Sequence, residues 1–165
     1  MNNEIVISTD KLTKRFGNFI AVNEITFDVK SGEIFGFLGA NGAGKTTAMR
    51  MLCGLSIPSS GSATIAGFEI YKQTEQIKKN IGYMSQKFSL YEDLTVVENT
   101  RFFGGIYGLS DKQIKTKTDN LIETLELEKE TKKLVGSLPL GWKQKLAFSV
   151  AIFHEPKIVF LDEPT

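Results

Sequence analysis

The run Gly39-Ala40-Asn41-Gly42-Ala43-Gly44-Lys45-Thr46-Thr47 combines the residue types and spacing of a phosphate cradle. Glycines let the backbone wrap a chain of phosphates with successive N–H groups turned to the oxygens, and a larger side chain at Gly42 or Gly44 would obstruct that approach. Lys45 brings a point charge to the terminal phosphates, and Thr46 a hydroxyl suited to Mg²⁺. A second chemical pair, Asp162-Glu163, follows the apolar run Ile158-Val159-Phe160-Leu161. Carboxylates at the end of a buried strand are costly unless a cation answers them. With a phosphate loop upstream, that cation is Mg²⁺. Neighbouring strand residues point to opposite faces, so Asp162 and Glu163 need not share one job.

Regular elements must hold these groups in place. Ile34-Phe35-Gly36-Phe37-Leu38 is apolar without alternation, the pattern of a parallel strand buried on both faces. Lys45-Thr46-Thr47-Ala48-Met49-Arg50-Met51-Leu52 reads as a helix, which offers its positive N-terminal end to an anion. Upstream, Ile5-Val6-Ile7 and residues 21–29 read as strands, the second alternating through Ile25, Phe27 and Val29 as a half-exposed antiparallel strand does. Asn18 and Ser31-Gly32 mark turns. In Arg15-Phe16-Gly17 the aromatic at a turn is either a satellite core residue or a flat face for a nucleobase. Downstream come turn chemistry at Pro58-Ser59-Ser60-Gly61, a tight turn at Gly67, a short helix over residues 74–79 and a short strand, Ile81-Gly82-Tyr83-Met84. Gln86 follows that strand at the edge where α/β sheets bind ligands, although a lone glutamine there is more often a surface residue.

From about residue 94 to 153 the period turns helical. Thr95-Val96-Val97-Glu98 and Ser110-Asp111-Lys112-Gln113 each fit a capping box. The first opens a helix to about Gly108, and the second a helix with Ile114, Leu121, Ile122 and Leu125 on one face. Leu138-Pro139-Leu140-Gly141-Trp142 precedes a third helix, in which Leu146, Ser149, Val150 and Phe153 recur at packing intervals. Pro139 suits a first turn, where no N–H partner is needed. His154 reads as a C-terminal cap, and the mixed charges from Glu123 to Lys133 as a solvated face.

The 165 residues are enough for one ordinary core, and 41% hydrophobic with 24% charged residues is a soluble globular composition. A net charge of +1, from 20 basic and 19 acidic residues, leaves no basic arm or one-sided excess of the kind nucleic-acid binders carry. The single cysteine, Cys53, forms no internal disulfide and reads as a buried, reduced thiol of a cytosolic protein. No run approaches the roughly 18 apolar residues of a membrane span, and the polar, acidic start is unlike a signal peptide.

These pieces in this order resemble the nucleotide-binding subunit of ABC transporters, over the whole chain. The resemblance implies an α/β fold of the P-loop NTPase class: a RecA-like parallel-sheet core, an antiparallel β subdomain and an inserted helical subdomain. It divides the chain into residues 1–86 (β subdomain and P-loop core), 87–153 (helical subdomain) and 154–165 (Walker B strand). It makes Phe16 the adenine-stacking aromatic, and Gly39, Ala40, Asn41, Gly42, Ala43, Gly44, Lys45, Thr46 and Thr47 the Walker A loop around ATP. Gln86 becomes the Q-loop glutamine that contacts Mg²⁺ or water and senses the membrane partner. Asp162 would hold Mg²⁺ through water, and Glu163 would polarise the attacking water.

The implied partners are a transmembrane permease and a second ABC subunit, identical or not, in a head-to-tail dimer on the cytoplasmic face of the membrane; no nucleic acid is expected. Residues 88–99 are similar to members paired with separate permeases, often in drug or ion export. Two features depart from the family. Its Leu-Ser-Gly-Gly-Gln signature is replaced by Leu138-Pro139-Leu140-Gly141-Trp142, without the serine hydroxyl. The chain also ends at Pro164-Thr165, before the D-loop, the following core strands and the switch histidine. A core lacking its C-terminal part is thus expected to bind nucleotide poorly and hydrolyse little. The competing classes are a soluble ABC-type ATPase acting on ribosomes or DNA and a vestigial, non-hydrolysing fragment.

Overall fold

A computed structural model describes residues 4–85 and 90–162. They form two compact units, residues 1–81 and 82–165. The first is built on an antiparallel sheet in the order β2-β1-β3-β4, from β1 (Ile5–Phe16), β2 (Phe19–Lys30), β3 (Ser60–Ile65) and β4 (Phe68–Glu69). β1 and β2 are longer than the sequence pattern indicates and close into a hairpin at Gly17-Asn18, with Phe16 opposite Phe19 and Lys14 opposite Val22. β3 and β4 turn through Ala66 and Gly67, both at positive φ (52° and 86°). That is the backbone twist a two-residue hairpin favours. Ile7, Leu12, Val22, Val29, Ala63 and Ile65 supply the sheet's buried apolar side chains.

Helix α1 (Lys45–Leu52) buries Ala48, Met49, Met51 and Leu52, and Cys53 behind it is fully buried. Gly54, at φ 67°, ends α1: its N–H donates to Met51 and that of Leu55 to Arg50, so the last carbonyls are answered within the turn. Helix α2 (Thr74–Asn80) leads into β5 (Ile81–Met84).

One expectation fails here. Residues 33–40 form no strand, and Ile34 and Leu38 are 100% and 98% exposed. A strand buried on both faces needs neighbours on its edges and layers over its faces, and among the described residues no strand pairs with this segment. Phe35 and Phe37 turn instead to Phe27 of β2, with ring centroids 4.9 and 5.4 Å away.

The second unit pairs β5 with β6 (Ile158–Leu161) and carries helices α3 (Val96–Ile106), α4 (Asp111–Thr124) and α5 (Leu140–Ala151). Both capping boxes form: Thr95 with Glu98 and Ser110 with Gln113. The bonds that Glu98 receives from the Thr95 amide and hydroxyl hold its carboxyl below the usual range. Val96, Leu121, Leu127, Val135, Leu138, Leu146, Val150 and Phe153 form the shared core. Helix α3 stops before Gly108, which takes φ 75°. Helix α5 starts inside the signature slot, with Pro139 as N-cap and Leu140-Gly141-Trp142 already helical.

A buried asparagine ties the start of α3 to the loop before it. Asn99 is fully buried, accepts from the Tyr91 amide at 2.9 Å and donates to the carbonyls of Tyr91, Leu94 and Thr95. Truncation leaves several backbone groups unanswered at once, each costing about 1–3 kcal/mol when buried. Asn99→Ala is therefore expected to destabilise the protein by about 2–4 kcal/mol, read as a lower urea midpoint at unchanged slope.

Candidate functional site

The phosphate-type loop owes its shape to glycines. Gly44, the N-cap of α1, sits at φ 83° and ψ 7°. A Cβ on it would lie 2.0 Å from the carbonyl oxygen of Ala21 and 3.2 Å from Cγ2 of Val22, so no other residue fits. Gly42 is at φ 82° but faces open space. Between them the Ala43 amide donates to the Ala40 carbonyl at 3.1 Å. Residues 39–43 and Thr46 are exposed, while Gly44, Lys45 and Thr47 are half-buried.

Lys45 folds back over its own loop. Its Nζ donates to the carbonyls of Gly39 at 2.6 Å and Ala40 at 2.9 Å, which curls the loop around an ammonium. No side chain caps α1 and its first turn carries no acid, so amide N–H groups, the helix dipole and a lysine converge at this turn. That donor set suits a polyphosphate anion, and Thr46 and Thr47 stand in the first turn of the same helix.

Phe16 ends β1 and is 55% exposed. It belongs to the hairpin whose second strand, at Ala21 and Val22, forms the wall under Gly44. The loop and the aromatic therefore share one support. Sequence reading missed this wall; its only trace is a small residue, Ala21, next to a β-branched one.

In the second unit Asp162 follows β6 and is only 5% exposed. Its amide donates to the Met84 carbonyl at 2.9 Å, and the Tyr83 hydroxyl donates to its Oδ2 at 3.3 Å. The β5–β6 pairing thus positions the carboxylate, with Tyr83 as an unforeseen second residue. Gln86 and Glu163 lie outside the described residues.

In the signature slot, Leu138 is buried and Trp142 packs on the helical core, with Lys145 Nζ 5.2 Å from the Trp142 ring. Leu138, which the family shares, and Trp142, which replaces the glutamine, anchor the start of α5, while Leu140 stays exposed. His154, two residues past the C-cap of α5, stacks on Tyr107 with centroids 3.6 Å apart.

The two loop glycines should respond differently to one added methyl. Gly44→Ala meets backbone at 2.0 Å as well as an unfavourable φ, whereas Gly42→Ala meets only the φ penalty, on the order of 1–2 kcal/mol. Chemical denaturation should show Gly44→Ala as the more destabilised, by at least about 1 kcal/mol.

The ABC transporter family profile matches residues 22–165. The probable multidrug ABC transporter ATP-binding protein YbhF of Escherichia coli (strain K12) is 47% identical over 162 residues, which is 98% of this chain and 28% of that protein. The Nod factor export ATP-binding protein I of Rhizobium sp. (strain N33) is 37% identical over 162 residues, 98% of this chain and 53% of that protein. A solved ATP-binding subunit of an ABC transporter superposes with a TM-score of 0.85 at 28% identity, over 96% of this chain and 66% of that one. The chain therefore spans about half or less of the curated relatives it matches. The P-loop NTPase class expected from the motifs holds, and the chain belongs to the ABC transporter family, whose ATP-binding portion it represents.

Proposed function

We propose that this chain carries the nucleotide site of an ABC-type ATPase that drives transport, in the outward direction, through a separate permease. The observation that carries the reading is the loop around Lys45, where an ammonium held on two loop carbonyls stands at the uncapped start of α1. Export is favoured by the Nod factor export protein among the relatives. Among the described residues no helix is long and apolar enough to cross a membrane, which fits attachment through a permease.

The residues divide the work. Lys45 exchanges its two loop carbonyls for phosphate oxygens, and the amides of residues 41–46 add directed donors. Phe16 offers a face for the adenine, and Thr46 and Asp162 supply oxygen donors of the kind Mg²⁺ takes. Gln86 senses the permease and contacts the metal or its water, while Glu163 positions and polarises the attacking water. ATP with Mg²⁺, when bound, supplies the phosphoanhydride whose cleavage drives the cycle. A second ABC subunit, docked head to tail, would present its signature segment to the loop. The domain division that goes with this reading is residues 1–86, 87–153 and 154–165.

A second reading, nucleotide binding without turnover, is favoured by one observation. The N-cap of α5 is Pro139 and offers no side-chain hydrogen bond, so the slot where the family has a serine lacks a hydroxyl.

Calorimetry with Mg-ATP should give weak binding by the chain and at least a tenfold loss in Lys45→Ala; equal affinity of the two proteins would overturn the site. In the full-length protein, Glu163→Gln should keep ATP binding and lower hydrolysis by about 100-fold or more, as loss of a general base does. Unchanged turnover would remove Glu163 from the chemistry, and absence of turnover in the unmodified full-length protein would favour the second reading.

A further inference from the structure

The strand end that carries Phe16 is braced, and a cation is part of the brace. Lys14 Nζ donates to the carbonyl of Ile57 at 2.5 Å and stands 5.2 Å from the centroid of the Phe16 ring. Ser59 completes the tie. Its amide donates to the Thr13 carbonyl at 2.8 Å, its Oγ accepts from the Arg15 amide at 2.9 Å, and the same Oγ donates to the Arg15 carbonyl at 3.5 Å. Residues 57–59 follow α1, the helix that the phosphate loop opens. Across the ladder Lys14 faces Val22, whose Cγ2 lies 3.2 Å from the position a Cβ on Gly44 would take. The aromatic and the loop are thus referred to one another through Lys14 on both sides of its strand.

We propose that Lys14 is the positioning residue that makes Phe16 a base-selective platform. Anchored on Ile57, the ammonium covers one face of the ring and leaves the other for a purine. It also draws π density from the ring, which strengthens stacking with an electron-rich aminopurine. The inference rests on the nucleotide-binding reading and adds to it the residue that sets how the base is gripped.

The test measures Mg-ATP and inorganic triphosphate separately by calorimetry, on the chain and on Lys14→Met, Lys14→Arg and Phe16→Ala. Lys14→Met is expected to weaken ATP about two- to fivefold, the size of an exposed cation–π contribution, with triphosphate affinity unchanged. Lys14→Arg should restore ATP affinity, and Phe16→Ala should abolish the preference for ATP over triphosphate. Equal weakening of both ligands in Lys14→Met would assign Lys14 a merely structural part and overturn the proposal, as would unchanged ATP affinity. If Phe16→Ala alters neither ligand, the base platform falls while the phosphate loop stands. If the unmodified chain binds neither ligand, the nucleotide reading falls and this proposal with it.

Discussion

The approach of Gly44 to the carbonyl of Ala21 is the constraint on which the rest of the first unit depends. Two stretches of backbone touch where no side chain can intervene. The turn into α1 therefore has a fixed seat on β2, and β2 in turn carries the hairpin that ends in Phe16. A flexible glycine loop would lose much of its anion affinity to ordering entropy. Seated against a strand, it keeps its glycine torsions for amide orientation while the sheet supplies rigidity.

The second unit solves a different problem with different means. It has to hold three helices and a buried carboxylate, and beside its apolar core it does so by answering polar groups locally. Asn99 closes the loop before α3 onto its first turn, Thr118 donates to the Thr100 hydroxyl across the α3–α4 contact, and both capping boxes fix where helices start. Buried polar groups satisfied in this way specify one arrangement where uniform apolar packing would allow several.

Much of this was legible in the residues because the governing physics is local. Capping boxes act over three residues, the Ala66-Gly67 turn over two, and the phosphate loop is announced by its own glycines, its lysine and the following helix. What escaped the sequence depends on neighbours distant along the chain. Residues 34–38 have a buried strand's composition, yet burial is conferred by flanking strands and covering layers. The wall at Ala21, the hydroxyl of Tyr83 on Asp162 and the anchoring of Lys14 on Ile57 join residues up to 79 positions apart, and no periodicity encodes such pairs. The unusual signature slot was visible as a departure, but not that Leu138 and Trp142 would serve as packing anchors for α5.

The exposed segment 34–38 has a bearing on how the protein is handled in solution. Its side chains are apolar and uncharged, with Ile34 and Leu38 open to water, a composition that extended segments of other chains can recognise by backbone pairing. Holdase chaperones and aggregating neighbours would compete for the same surface. Concentration, temperature and chaperone supply would then bear on the yield of soluble protein alongside the strength of the folded core.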